Sequence, residues 1–256
     1  MDTTGTTISR GGYLLTDVSA PGTAGDTGTL SFTIRAADGT PVTTFAQSHG
    51  KALHLIVVRT DGTGYRHLHP VLDVSTGVWS TPVTWDAAGS YRIFADAAPL
   101  GAEGVTLSRT IDVAGDLRPV EYHGERRHVT VDGFDVHLDG PLRTGAGGVL
   151  TVTISEHGRP VQRLEPYLGA FGHLVALREG DLAYLHVHAL GGDPADGDLS
   201  GPGIEFHASA PTAGRYFLYL DFQIGGQVRT VSFVVDASAD PASAAEHHVH
   251  HATHAH

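Results

Sequence analysis

Apolar and polar residues alternate along this chain in short runs broken by glycine, proline and aspartate, with no stretch of helical period. Thr29 to Ala36 (Thr-Leu-Ser-Phe-Thr-Ile-Arg-Ala) is the clearest run: alternate side chains are apolar, as in a strand buried on one face. Tyr13 to Val18, Val42 to Phe45, Val78 to Trp85, Ser90 to Ala95 and Val105 to Val113 predict further strands. Turn signals separate them at Pro21-Gly22, Asp38-Gly39, Ala88-Gly89 and Gly101 to Gly104. Short strands at this spacing predict an all-β protein of immunoglobulin-like β-sandwich type.

The pattern then restarts. Val149 to Ser155 matches Leu30 to Ala36, and Gly158-Arg159-Pro160-Val161 matches Gly39-Thr40-Pro41-Val42, both shifted by 119 residues. Gly214 to Asp221 matches Gly89 to Asp96 after an acidic Gly/Pro insertion at Gly191 to Gly201, and Val228 to Val235 closes the second copy. The predicted organisation is therefore two tandem sandwiches, residues 13–115 and 128–236. A charged linker containing Pro119 joins them at 116–127. A Gly/Thr-rich segment, 1–12, and a His-rich tail, 237–256, are predicted to lack structure.

The segment from His54 to His69 carries the chemistry, and it recurs as His173 to His188. Each copy is an apolar run, a turn, and a second run ending His-x-His, which predicts a β-hairpin bearing three imidazoles. A two-residue type I′ turn at Asp61-Gly62 would set His54 opposite His69 and Ile56 opposite His67. The same turn at Gly180-Asp181 would set His173 opposite His188 and Val175 opposite His186. Side chains at i and i+2 share a face, so each trio could converge on one ion. The expected metal ligands are His54, His67, His69, His173, His186 and His188. Three imidazoles with an open position suit zinc, copper or nickel.

Asp96 and Asp221 end matching aromatic strands and are candidate fourth ligands, or acceptors for a ligating imidazole N–H. Glu165 and His49, each without a counterpart in the other copy, are further candidates. His207 is read as exposed, and Trp79 and Trp85 as core residues. In the tail, His247, His248, His250, His251, His254 and His256 suit flexible metal capture.

Composition narrows the classes. A formal charge of -12, from 28 acidic against 16 basic residues, disfavours a nucleic-acid or anionic-membrane surface and favours cations. The absence of cysteine removes disulfides, thiolate nucleophiles and cysteine metal sites. With Met1 the only methionine, methionine-rich copper(I) sites and blue-copper centres go too. Metal chemistry falls to the 18 histidines. No apolar run is long enough to span a membrane. Met1 to Gly5 has neither a basic start nor an apolar export region, which implies a cytoplasmic location if this start is authentic.

The sequences from His54 to Pro70 and from Leu164 to His188 resemble a group of actinobacterial exported or membrane-anchored proteins associated with heavy metals. That group is in turn similar to the YtkA-like and FixH-like β-sandwich domains linked with copper handling. The likeness spans roughly residues 13 to 236. It implies that the six hairpin histidines fall on the group's shared histidines, that copper is the ion, and that the location is extracytoplasmic or cell-surface. The chain departs from the pattern at His188-Ala189, where His-Pro is usual, and in having no leader before residue 1.

The leading expectation is a non-catalytic transition-metal-binding protein for copper, with zinc or nickel next, acting in buffering, delivery or tolerance. One alternative is a cupin-like metalloenzyme centred on His186 and His188, because Gly180-x5-His186-x-His188-x4-Asp193 approaches a cupin motif with Asp in place of Glu. The other is an interaction module in which the histidines pack structurally.

Overall fold

The computed structural model describes residues 5–185, 187–195 and 197–239, with the side chain of His188 also outside the description. Among the described residues there are strands and no helix, and no helix is long and apolar enough to cross a membrane. Two compact units form, residues 5–121 with 180–184, and residues 122–179 with 185–239.

The first repeat contains β1 (Ser9–Arg10), β2 (Tyr13–Ser19), β3 (Thr27–Arg35), β4 (Phe45–Ala46), β5 (Leu53–Arg59), β6 (Arg66–Leu68), β7 (Val71–Asp73), β8 (Val78–Thr84), β9 (Gly89–Pro99) and β10 (Val105–Val113). One sheet runs β1-β2-β3-β8-β7. The other runs β10-β9-β5-β6, with β4 on β9. Alternation decides what lies between them: Leu30, Phe32 and Ile34 of β3 meet Leu55 and Val57 of β5 and Ile93 and Ala95 of β9, all excluded from solvent. Each large side chain buried in this way is worth about 1.5–3 kcal/mol. The intervening residues of β5, His54, Ile56 and Val58, therefore project from the opposite, outer face.

The second repeat contains β11 (His128–Val131), β12 (Phe134–Asp139), β13 (Arg143–Thr144), β14 (Gly148–Glu156), β15 (Arg159–Pro160), β16 (His173–Arg178), β17 (Tyr184–Leu185), β18 (His188–Ala189), β19 (Gly203–Ala210), β20 (Gly214–Ile224) and β21 (Gln227–Ala237). Its sheets run β11-β12-β14-β19-β13, with β15 on β14 and β18 on β19, and β17-β16-β20-β21. Its core is built by the same rule from Leu150, Val152, Ile154, Leu174, Ala176, Leu218 and Leu220.

Both repeats carry a tyrosine corner, a hallmark of immunoglobulin-like sandwiches. Tyr91 and Tyr216 each donate their hydroxyl to a carbonyl four residues upstream, Ala87 at 2.8 Å and Thr212 at 2.9 Å. Each sits two residues into its strand, after Gly89 or Gly214. The predicted fold class is thus what forms.

The N-terminal segment departs from expectation. From Gly5 onward it is ordered: the Thr7 carbonyl accepts the Ser108 amide at 2.8 Å, and β1 pairs with β2. Gly5 itself is buried with φ +74°, and a Cβ there would sit 2.6 Å from Tyr184. A sequence with few apolar residues can still be held when its backbone finds partners and its glycine fits where a side chain cannot. Residues 1–4 and 240–256 lie outside the described residues.

Candidate metal centre

The β5–β6 hairpin reaches the predicted register by a different route. The Gly62 amide donates to the Arg59 carbonyl at 2.8 Å, so Thr60-Asp61 are the central residues, and Gly62 follows in a left-handed conformation with φ +81°. Arg59 then bonds Thr63 rather than Gly64. An extra residue at Gly64-Tyr65 is absorbed as a bulge, restoring the pairing of Val57 with Arg66, Ile56 with His67 and Leu55 with Leu68. The type I′ turn was incorrect and the pairing of Ile56 with His67 correct, because the two departures cancel. Gly64, at φ +64°, allows the bulge to pass the Tyr91 ring, which would lie 3.1 Å from a Cβ.

This register brings His54, His67 and His69 together on the outer face. Nδ1 of His54 lies 2.9 Å from Nε2 of His67 and 3.3 Å from Nε2 of His69, and the three candidate ligand nitrogens all lie within 4.8 Å of one another. Two nitrogens bound to one tetrahedral ion at ~2.0–2.1 Å stand about 3.3 Å apart. The His54–His69 separation equals that value, and the His54–His67 separation is shorter, at hydrogen-bond distance.

The tautomer of His54 is determined by its other nitrogen. Nε2 lies 3.0 Å from the carbonyl oxygen of Ser48, which can only accept, so Nε2 carries the proton and Nδ1 presents a lone pair. A metal-ligating histidine almost always donates its second N–H in this way. The Ser48 carbonyl is positioned by a two-residue turn, closed by Ser48 N–H to Lys51 at 2.8 Å and Lys51 N–H to Ser48 at 3.0 Å, with His49 and Gly50 both left-handed. His54 is 9 % exposed, and burial lowers its pKa, favouring the neutral ligand form. His49 is exposed, its ring 6.2 Å from that of His54, and it is not one of the three converging residues.

Asp96 does not join the three either. It faces His54 across the β5–β9 ladder and accepts a hydrogen bond from Thr106, its neighbour on β10, at 3.1 Å. Tyr184, whose ring lies 5.7 Å from that of Phe94, is half-buried nearby. Its pKa is raised by that burial and by the charge of Asp96.

In the second repeat the supporting arrangement recurs. Nε2 of His173 donates to the Tyr167 carbonyl at 2.7 Å, and Tyr167 and Ala170 close a turn with Leu168 and Gly169 left-handed, matching Ser48 to Lys51. Asp221 faces His173 across β16–β20 and accepts from Thr230 at 2.5 Å. The hairpin itself differs from expectation. Gly180 and Leu182, rather than Gly180 and Asp181, have positive φ, and the ladder partner of His188 is His207 on β19 rather than His173. Here the chain crosses to the other sheet earlier than after His69, so backbone pairing with β19 replaces the hairpin register. His186 and the tail histidines, His247 to His256, lie outside the described residues.

Glu165 is a loop anchor. Its carboxylate accepts the amides of Gly225 and Gly226 at 2.9 and 2.7 Å and the Gln223 side chain at 3.1 Å, which together lower its pKa. What the sequence reading missed is the pair of turn carbonyls at Ser48 and Tyr167. The signal available was Gly50 matching Gly169, each four residues before the hairpin's first histidine, His54 or His173.

No curated protein is significantly similar to the chain in sequence. Similar solved structures include the D0-D1 domain of intimin, 11 % identical over 87 % of this chain and 96 % of that one, with a TM-score of 0.25. Salmonella alpha-2-macroglobulin reacted with methylamine is 15 % identical over 92 % of this chain and 15 % of that one, with a TM-score of 0.30. Domains 5-6 of the S-layer protein SbsC are 15 % identical over 89 % and 99 %, with a TM-score of 0.24. A family model described as a domain of unknown function, DUF8832, matches twice, over residues 9–115 and 129–239, and the chain therefore belongs to that family as a tandem pair of its domains.

Proposed function

We propose that this protein is a non-catalytic transition-metal-binding protein that serves buffering, delivery or tolerance, with copper as its ion and zinc or nickel as alternatives. The observation that carries this reading is the convergence of His54 Nδ1 with His67 Nε2 and His69 Nε2 at 2.9 and 3.3 Å, with His54 already held in a ligating tautomer by Ser48. Copper is favoured because divalent copper binds nitrogen sites most tightly in the first-row series. Three protein ligands leave a position for water or for a ligand on a receiving partner, which suits an ion that is handed on. In the second repeat the reading rests on His173, whose tautomer is fixed by Tyr167, with His186 and His188 as its companions. The tail histidines would raise local capture.

The test uses the full chain with the six tail histidines replaced by alanine. Copper(II) and zinc(II) titrated at pH 7.5 should bind tightly, and His67→Gln with His69→Gln should remove one ion per chain while the protein remains folded. Failure to bind either ion more tightly than millimolar would end the claim. Loss of folding in the Gln variants with metal stoichiometry unchanged would favour a structural role for the histidines.

A further inference from the structure

We propose that Asp96, held by Thr106, is the charge partner of the His54 centre, so that the site favours divalent over monovalent ions; Asp221, held by Thr230, stands at the same place beside His173. This rests on the metal-binding reading above. Three neutral imidazoles leave the whole charge of a bound ion uncompensated, and a fixed carboxylate beside them stabilises that ion in proportion to its charge.

The placement is the same in both repeats. His54, Asp96 and Thr106 are direct neighbours across β5, β9 and β10, and His173, Asp221 and Thr230 across β16, β20 and β21. In the first row Leu53 and Leu55 flank His54, Ala95 and Ala97 flank Asp96, and Val105 and Leu107 flank Thr106, so all three share the outer face, while the core residues Leu174, Leu220, Phe222 and Val231 adjoin the second row. Directly opposite residues have Cβ atoms roughly 4.5–5.5 Å apart, which sets Asp96 beside His54, while Asp96 is not among the residues whose ligand atoms converge. The threonine hydroxyl bonds, at 3.1 and 2.5 Å, orient each carboxylate. The surroundings keep the field strong: Tyr184, Phe94 and Thr106, the hydrogen-bond donor to Asp96, pack around Gly5, and Asp221 is only 2 % exposed. The spacing from histidine to aspartate differs between the copies, from His54 to Asp96 and from His173 to Asp221, yet the three-strand row is rebuilt. That argues for a requirement of the site rather than of the chain spacing.

Zinc(II) and silver(I) are titrated into the full chain with its tail histidines replaced by alanine, and into the same chain carrying Asp96→Asn and Asp221→Asn, which preserve size and an acceptor for threonine. Zinc affinity should fall about 10- to 100-fold, the range for losing such a supporting group. Silver affinity should fall only by the square root of that, about 3- to 10-fold, because its charge is half. Asp96→Glu with Asp221→Glu should restore most of the zinc affinity. Equal losses for the two ions, or none, would overturn the proposal while leaving the metal-binding reading intact. If the unsubstituted chain binds neither ion, that reading fails and this one with it.

Discussion

The carbonyl oxygen of Ser48 accepts the Nε2 hydrogen of His54 at 3.0 Å, and it is offered in that direction only because His49 and Gly50 both turn left-handed. Gly50→Ala isolates this support. No atom lies within 4 Å of the added Cβ, so the cost is conformational, about 1–2 kcal/mol. Copper affinity is expected to fall with it, by roughly 10-fold, as the imidazole loses its fixed orientation. Thermal melts and copper titrations of one preparation check both; a destabilised variant with unchanged affinity would separate the turn from the site.

Metal affinity should fall steeply below about pH 6, because each ligating imidazole must be neutral and protons compete for it. Burial lowers the pKa of His54, so its own protonation comes later in an acid titration than that of an ordinary histidine. Affinity measured from pH 7.5 to 5 should show this decline. A flat profile would mean that these histidines are not the ligands.

Arg59 and Asp61 form a nearly solvent-free ion pair at 2.6 Å, with side chains 6 and 13 % exposed. The Asp61 carboxylate also accepts the amide of Val120, while Arg59 donates to the carbonyls of Ala88 and Arg118. Burial pushes the Asp61 pKa up, but the bonds from Arg59, Val120 and Thr63 outweigh it and bring the value down to about 2 from 3.8. A pKa depressed in the folded state gives stability that is complete above the unfolded value and lost as pH falls through the folded one. Acid unfolding should therefore cost about 1–2 kcal/mol between pH 4 and 2 that Asp61→Asn no longer shows. At pH 7 the same substitution should destabilise by about 3 kcal/mol, since Arg59 is left buried without its partner. Urea melts across that pH range test both statements.

Tyr91→Phe and Tyr216→Phe should each cost about 1–2 kcal/mol by leaving the Ala87 or Thr212 carbonyl without its hydroxyl donor. Tyr91→Phe keeps the ring on which Gly64 packs, so the β5–β6 register and copper binding should remain. Denaturant midpoints and metal stoichiometry of the two variants check this.

Much of the architecture was legible because alternation is a local signal. Leu30, Phe32 and Ile34 announce a half-buried strand by themselves, and the repeated Gly-x-Tyr that opens β9 and β20 marks the same corner twice. Short pairings were less visible: β1 has only two residues on β2, Ser9 opposite Leu14 and Arg10 opposite Tyr13, too few to show a period, and β12 is held by Val152 and Ile154 of β14. The histidine trio was legible as a register, although the turn that produces it was not.

By itself, the sequence determined that two all-β repeats would form and that His54, His67 and His69 would lie on one hairpin face, because strand period and turn residues act over a few positions. Only the tertiary structure decided which ring nitrogen His54 presents, that Asp96 lies opposite it across the ladder, and that His188 pairs with His207 rather than with His173. Those outcomes depend on backbone carbonyls and neighbouring strands brought together by burial of the core, and such long-range contacts leave no periodic mark along the chain.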